Sequence, residues 1–257
     1  GSTDVPNNTA ATSFVSCTGH TFTIVRSPTG PTTTIVPAGK TVYINPDETV
    51  ATNRVTIPDN AIFDVANTWG GFEFSGTAGN YLSTPDAAAL DLAGDFELVT
   101  RFSRVSTAAG TLSLIVKSVD AGLQNSFYLR HDSGGLSLTV RSSTDVVQAI
   151  NSTVVSGLVD GATNWVKVTF DSDNGAGGTE TKFYTAPDEQ NEPTSWTQLG
   201  ATVTTAGTMI VKNTTAPLEI GSRNLGVNDT RASTFYRAII RNGIGGTGFY
   251  AILFTDA

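Results

Sequence analysis

The chain has 257 residues, enough for one large β domain or a medium domain with a small companion; its 13 Phe, 6 Tyr and 3 Trp beside only 15% charged residues exclude a wholly disordered chain. The net charge of −8, from 15 basic and 23 acidic residues, argues against nucleic acid as a partner, because that affinity rests on Lys and Arg neutralising phosphates. One Cys rules out an internal disulfide, and two His leave little for a His-based zinc site.

Residues 1–13 are polar and lack both the charged and the apolar region of a secretion signal. The opening Gly1-Ser2 without Met reads as a cloning scar or a processed start, and the apolar run that stops at Thr255-Asp256-Ala257 leaves open a cut in a longer protein. Residues 1–66 are rich in Thr and Pro, with strand-like runs at 21–26, 32–36, 40–44 and 53–57. About 60 residues is marginal for an independent core, so this N-terminal β segment is expected to act as an anchor or assembly region. Cys17 within it reads as an inert small side chain, and His20 as an exposed or hydrogen-bonded one. The main domain is expected over 67–257.

From there the period is two almost everywhere. After a single helical turn at 85–90, where three Ala follow Pro-Asp, residues 95–103 (DFELVTRFS) put Phe96, Leu98 and Phe102 on one face and Glu97 and Arg101 on the other. Strands follow at 111–117, 125–131 and 135–141, the last two joined by the turn residues 132–135 (DSGG). Residues 164–171 alternate Val166, Val168 and Phe170 against Lys167, Thr169 and Asp171; the Gly-rich loop 171–178 then leads into a strand at 179–184. Two more strands are predicted at 217–221 and 234–241, with Asn242-Gly243 and Gly245-Gly246 closing the series. The apolar runs, such as 112–116, are too short to span a bilayer. Many short strands without an amphipathic helix predict an all-β antiparallel jelly-roll β-sandwich.

Several segments occur in a familiar order: Gly71-Phe72-Glu73-Phe74-Ser75-Gly76, Asn80-Tyr81-Leu82, the turn at 85–92, Asp95-Phe96-Glu97-Leu98, Asp160-Gly161 before Asn164-Trp165-Val166-Lys167-Val168, and Leu218-Glu219-Ile220-Gly221. Together they resemble a laminin G-like, concanavalin A-like domain over about residues 66–254. The Gly-rich loop, Trp196-Thr197-Gln198-Leu199-Gly200 and Gly221-Ser222-Arg223-Asn224 also look like jelly rolls of bacteriophage tail or fibre proteins and bacterial surface proteins. The first resemblance implies calcium dependence in many members. The second implies adhesion or virion structure, with glycans as the usual ligand.

Candidate site residues are few. Asp171, Asp173 and Asn174 before Gly175 are hard oxygen donors that suit calcium, or else a turn in which each side chain bonds its own backbone. Trp69 and Trp196 are candidate platforms for a sugar ring, with Trp196 expected rather to pack on the neighbouring hairpin and Trp69 open between a domain hinge and a binding surface; Trp165, at the start of a central strand, reads as a core anchor. Glycoside hydrolysis needs a carboxylate pair. Asp95 with Glu97, Glu73 alone, and Asp188, Glu189 and Glu192 in a Pro-bounded loop read instead as ordinary solvated charges, and His131 beside Asp132 has no nucleophile identified with it. No catalytic residue is assigned. The expected function is non-enzymatic adhesion or receptor recognition at a virion or extracellular surface, with a glycan or cell-surface receptor and assembly subunits as partners and a homotrimer as one possible state. A purely structural fibre or decoration domain is the alternative, and a glycoside hydrolase or lyase the second alternative.

Overall fold

In the computed structural model, residues 71–104, 110–132, 134–246 and 248–253 are described, the last group by backbone alone. The N-terminal segment with Cys17 and His20, the boundary near residue 66 and Trp69 lie outside the described residues. Within them, every alternating run becomes a strand, with ends shifted by one or two residues. The strands are β1 (Phe72–Ser75), β2 (Leu82–Thr84), β3 (Phe96–Arg104), β4 (Leu112–Val119), β5 (Gln124–Asp132), β6 (Gly135–Arg141), β7 (Val147–Asn151), β8 (Thr163–Asp171), β9 (Gly178–Ala186), β10 (Thr197–Gln198), β11 (Val203–Ala206), β12 (Leu218–Ile220), β13 (Ala232–Asn242) and β14 (Gly248–Leu253). The predicted helical turn forms as one 3-10 turn at Ala88–Leu90, which buries Leu90. Gly134, at φ +88°, makes the tight link between β5 and β6 that the turn residues predict. No helix among the described residues is long and apolar enough to cross a membrane.

The strands pair antiparallel into two sheets. One runs β1-β13-β3-β8-β9-β10, with β14 also on β13 and β11 also on β9; the other runs β2-β12-β4-β5-β6-β7. The fold is therefore the all-β sandwich that the patterning predicts. Phe96, Leu98, Phe102, Val166, Val168 and Phe170 line the inner face of the first sheet, and Phe127, Leu129, Leu138 and Val140 that of the second. Ring contacts tie the layers together: Phe96 lies 5.4 Å from Phe127 across the sandwich and 5.2 Å from Phe170 beside it. Burying rings of this size is the main stabilising term.

Two features depart from the simple alternation. First, the outer face of the eight-stranded sheet is not bathed in water. Val99, Trp165, Ala186 and Ile239 form a second apolar cluster there, covered by Trp196. Glu97 and Arg101, expected on a solvated face, are only 4% and 5% exposed. The cover is the segment 187–196: Asp188 bonds Arg101 at 2.7 Å, Glu192 bonds Arg241 at 2.6 Å, and Glu189 offers its carbonyl to the Trp165 indole N–H at 2.8 Å. Asp188 and Glu192 are thus pins for a strap and not free loop charges. Trp165 is an anchor, as expected, but of this outer cluster. Second, Lys117 shares the inward phase of Leu218 and Phe127, its partners in register, and is fully buried.

Candidate functional site

The outer face of the six-stranded sheet follows from the same phase rule. Because Phe127, Leu129, Leu138 and Val140 point inward, Tyr128 and Arg130 on β5, and Ser137, Thr139 and Arg141 on β6, must point outward. Register places Val116, Tyr128, Thr139 and Ala149 in one row across β4 to β7, and Ser113, Arg130, Ser137 and Asn151 in the next. The floor is thus built from small side chains, with one aromatic ring and long guanidinium arms rising from it.

Segment 221–229 forms one wall. It turns back over the sheet around Glu219, whose side chain lies on the outer face of β12 and is fully buried. Glu219 Oε1 accepts from the Leu225 N–H at 2.7 Å, and Oε2 from the Gly226 N–H at 3.2 Å. Burial raises the pKa of this carboxyl, while those two bonds and nearby Arg223 oppose the shift. Asn224, Leu225 and Asp229 take left-handed backbone angles of φ +59°, +59° and +56°, a conformation that costs free energy unless the surroundings hold it. Gly226, at φ +82°, could carry no side chain: a Cβ there would meet the Tyr81 ring at 2.3 Å. Replacing Glu219 with Gln removes one of the two acceptors in either amide orientation. Hydrogen exchange at Leu225 and Gly226 is expected to rise about tenfold with the strands still protected; unchanged exchange there would mean that other contacts hold the wall.

The wall delivers Arg223 to the strand residues. Arg223 lies 5.5 Å over the Tyr128 ring and Arg130 4.8 Å over it. Asp229 Oδ2 joins the two cations, at 3.1 Å from Arg223 Nε and 3.7 Å from Arg130 Nη1, and Asp120 holds Arg223 from the other side. Beside this ring, Asp120, Asn125, Ser126, Tyr128, Thr139, Arg141 and Val147 line a hollow of about 100 Å³. Four buried polar atoms on this one face have no hydrogen-bond partner: Ser113 Oγ, Arg130 Nε, Ser137 Oγ and Arg141 Nε. All four can donate but are shielded from solvent; the partly exposed Tyr128, Arg130, Arg141 and Arg223 side chains are what this face offers a ligand.

Of the residues singled out from the sequence, Trp196 and the 171–174 donors are described and lie away from this face. Trp196 is half-buried, edge-on to Trp165 with ring centroids 6.4 Å apart, and Lys167 Nζ sits 4.5 Å over its ring. Asp171, Asp173 and Asn174 lie together in the β8–β9 loop. Their Oδ1 atoms accept backbone N–H groups of that same loop: Asp173 at 3.0 Å, Gly175 at 3.1 Å, and both Ala176 at 2.9 Å and Gly178 at 3.1 Å. Among the described residues no three His, Cys, Asp or Glu side chains gather as a metal site. These bonds hold the loop as a turn.

His131 is buried between Arg104 Nη1, 2.7 Å from its Nδ1, and Ser156 Oγ, 2.9 Å from its Nε2. A guanidinium only donates, so Nδ1 accepts and Nε2 carries the proton. Nε2 then donates to Ser156, which itself donates to the Gly134 carbonyl at 2.8 Å. This is the opposite polarity to a histidine that removes a serine proton. Burial and the Arg104 charge hold the imidazole pKa down at about 4, against the pull of Asp132 and Asp160.

No family model matches the chain, and no curated protein matches it. Among solved structures, the fold is similar to the CBM40 domain of the Ruminococcus gnavus IT-sialidase bound to α2,3-sialyllactose, with 15% identity over 68% of this chain and 91% of that one and a TM-score of 0.51. It is also similar to the binding domain of Paraclostridial Mosquitocidal Protein 1, with 8% identity over 73% of this chain and 40% of that one and a TM-score of 0.44. At such identities the shared property is the β-sandwich itself.

Proposed function

We propose that the chain is a non-enzymatic glycan-binding module of the laminin G-like type, acting in adhesion or receptor recognition at a virion or extracellular surface. Its binding site in this reading is the outer face of β4 to β7. One observation carries it: the partly exposed Tyr128 ring, with Arg130 and Arg223 over it, borders a hollow lined by Asn125, Ser126, Thr139 and Arg141. Sugar hydroxyl, acetamido and carboxylate oxygens are the acceptors that such donors suit, and an aromatic ring packs against the apolar face of a pyranose. The R. gnavus domain, of the same fold, is bound to sialyllactose, an acidic glycan, which favours carbohydrate as the ligand class.

The test is a glycan array of neutral and sialylated oligosaccharides, followed by titration of each hit. Tyr128→Ala and Arg130→Gln are each expected to weaken binding about tenfold or more while the thermal unfolding profile keeps its shape. Affinity is expected to survive EDTA, because the 171–178 loop already uses Asp171, Asp173 and Asn174 on its own backbone. Loss on chelation with recovery in calcium would reinstate calcium at those three residues. No binding by the folded chain would favour a purely structural decoration or fibre role. Release of free sugar would favour a glycosidase. The anchoring role of residues 1–66 and the trimer remain part of this proposal, and sedimentation of the full chain checks them.

A further inference from the structure

The outer face of the eight-stranded sheet poses a charge problem. Register lays out three rows across β13, β3, β8 and β9: Arg241, Glu97, Thr169 and Lys182; Ile239, Val99, Lys167 and Tyr184; Arg237, Arg101, Trp165 and Ala186. Under the strap, the carboxylates are already engaged. Asp188 is on Arg101, while Glu97 and Glu192 are both on Arg241. Among the described residues Lys167 forms no ion pair, and it lies over two rings, 4.8 Å from Tyr184 and 4.5 Å from Trp196. Arg237 forms none either. Its guanidinium lies 6.0 Å over Trp165, and its Nε is buried without a hydrogen-bond partner. Both cations are half-buried, and a cation–π contact contributes only about 0.5–2 kcal/mol to each. A net charge of −8 leaves acidic residues in excess, yet none is placed on Arg237.

The backbone puts Arg237 there by a specific device. Between Phe235 and Arg237 the β13–β3 register slips by one residue: Phe235 faces Phe102, and Arg237 faces Arg101. Tyr236 is the extra residue of this bulge. Phe235 and Ala238 still point into the core, so Tyr236 and Arg237 both emerge on the outer face. The Tyr236 ring then takes Arg101 at 4.5 Å, and Arg237 goes to Trp165. The Arg237 carbonyl, displaced by the slip, accepts from Thr100 Oγ1 at 2.7 Å. Burial, reinforced by Arg241 and opposed by Glu192, pulls the Arg237 pKa down.

We propose that Arg237, with Trp165 beneath it and Lys167 nearby on the same face, is a second binding site, for a single oxyanion: a carboxylate or sulfate, free or carried on a saccharide. The site is separate from the Tyr128 face and does not depend on it. The Arg237 guanidinium makes no hydrogen bond among the described residues, so its terminal nitrogens are donors left for such a group, and the partly exposed Trp196 and Tyr236 lie on the same face for the carrier.

The test follows the Trp165 indole N–H resonance of the full chain at constant ionic strength, during titration with inorganic sulfate, glucuronate and galactose 6-sulfate. Saturable movement is expected with at least one of them, at least tenfold weaker in Arg237→Gln and unchanged in Tyr128→Ala. Saturation by the sugars and not by inorganic sulfate identifies a saccharide acid as occupant; the reverse identifies a free anion. Equal responses in wild type and Arg237→Gln, or no response to any of the three, would overturn the site. Arg237→Lys, which keeps the charge but loses the fork, is expected to fall between wild type and Gln.

Discussion

Replacing Lys117 with Met is expected to destabilise the fold by about 3 kcal/mol, at the lower end of what removing one member of a buried ion pair costs. The Lys117 ammonium is fully buried at one end of the sandwich and uses its three donors, on Asp86 Oδ1 at 2.5 Å, Asp91 Oδ1 at 3.1 Å and the Thr214 carbonyl at 2.6 Å. It therefore ties the 85–92 turn and the 212–216 segment to the middle of the six-stranded sheet. Methionine would fill the stem volume but leave two carboxylates facing one another and a carbonyl without its donor. Those carboxylates keep side-chain exposures of 28% and 20%, so water recovers part of the loss. In thermal unfolding the shift is expected to be roughly 6–12 °C for a domain of this size. Adding Asp86→Asn and Asp91→Asn to the Met variant is expected to recover part of the stability, because the repulsion disappears with the charges. A drop below about 1 kcal/mol in the single variant would show that Lys117 is not the pin described here.

Acid is expected to weaken the fold through His131 before general carboxylate protonation does. The folded imidazole is kept neutral by burial and by Arg104 at its Nδ1, and its pKa lies at about 4, against 6.5 for a free histidine side chain. Between those values the unfolded chain binds more protons than the folded one, so stability falls as pH falls. The contribution is complete above about pH 6.5 and absent below about pH 4, a loss of about 3 kcal/mol. Protonation also breaks a specific junction, since Nδ1–H would point at the Arg104 guanidinium, which is itself near Asp160. His131→Gln offers an oxygen to Arg104 and an N–H to Ser156 without titrating. Urea unfolding at pH 7 and pH 4 is expected to show the two proteins within about 1 kcal/mol at pH 7, with the variant ahead by about 3 kcal/mol at pH 4. A constant difference across that range would remove His131 as the cause.

The Tyr128 face was only partly legible in the sequence. The alternation in residues 125–131 already placed Tyr128 and Arg130 on the face opposite Phe127 and Leu129, and residues 221–224 stood out in the family-like order. Nothing local connected them, because Arg223 reaches Tyr128 only after segment 221–229 folds back around Glu219. Trp196, expected to pack on a neighbouring hairpin, lies edge-on to Trp165 with Lys167 over its ring. An exposed-looking Trp in a loop carries no local mark of what it will pack against.

By itself the sequence determined strands β3 to β6, β8, β9, β12 and β13, most of their inward faces and the turns between them, but not the short strands β7, β10 and β11. Alternation is a property of neighbouring residues, and the pleat converts it directly into two faces. Only the tertiary structure decided what covers the outer faces and which polar groups are buried. Glu97 and Arg101 read as solvated until segment 187–196 lies across them, and Lys117 breaks the apolar pattern of β4 because Asp86, Asp91 and Thr214 come from far along the chain to meet it. Contacts between distant segments leave no period in the sequence, so the burial of these charges, and the sites they build, emerge only when the two sheets close.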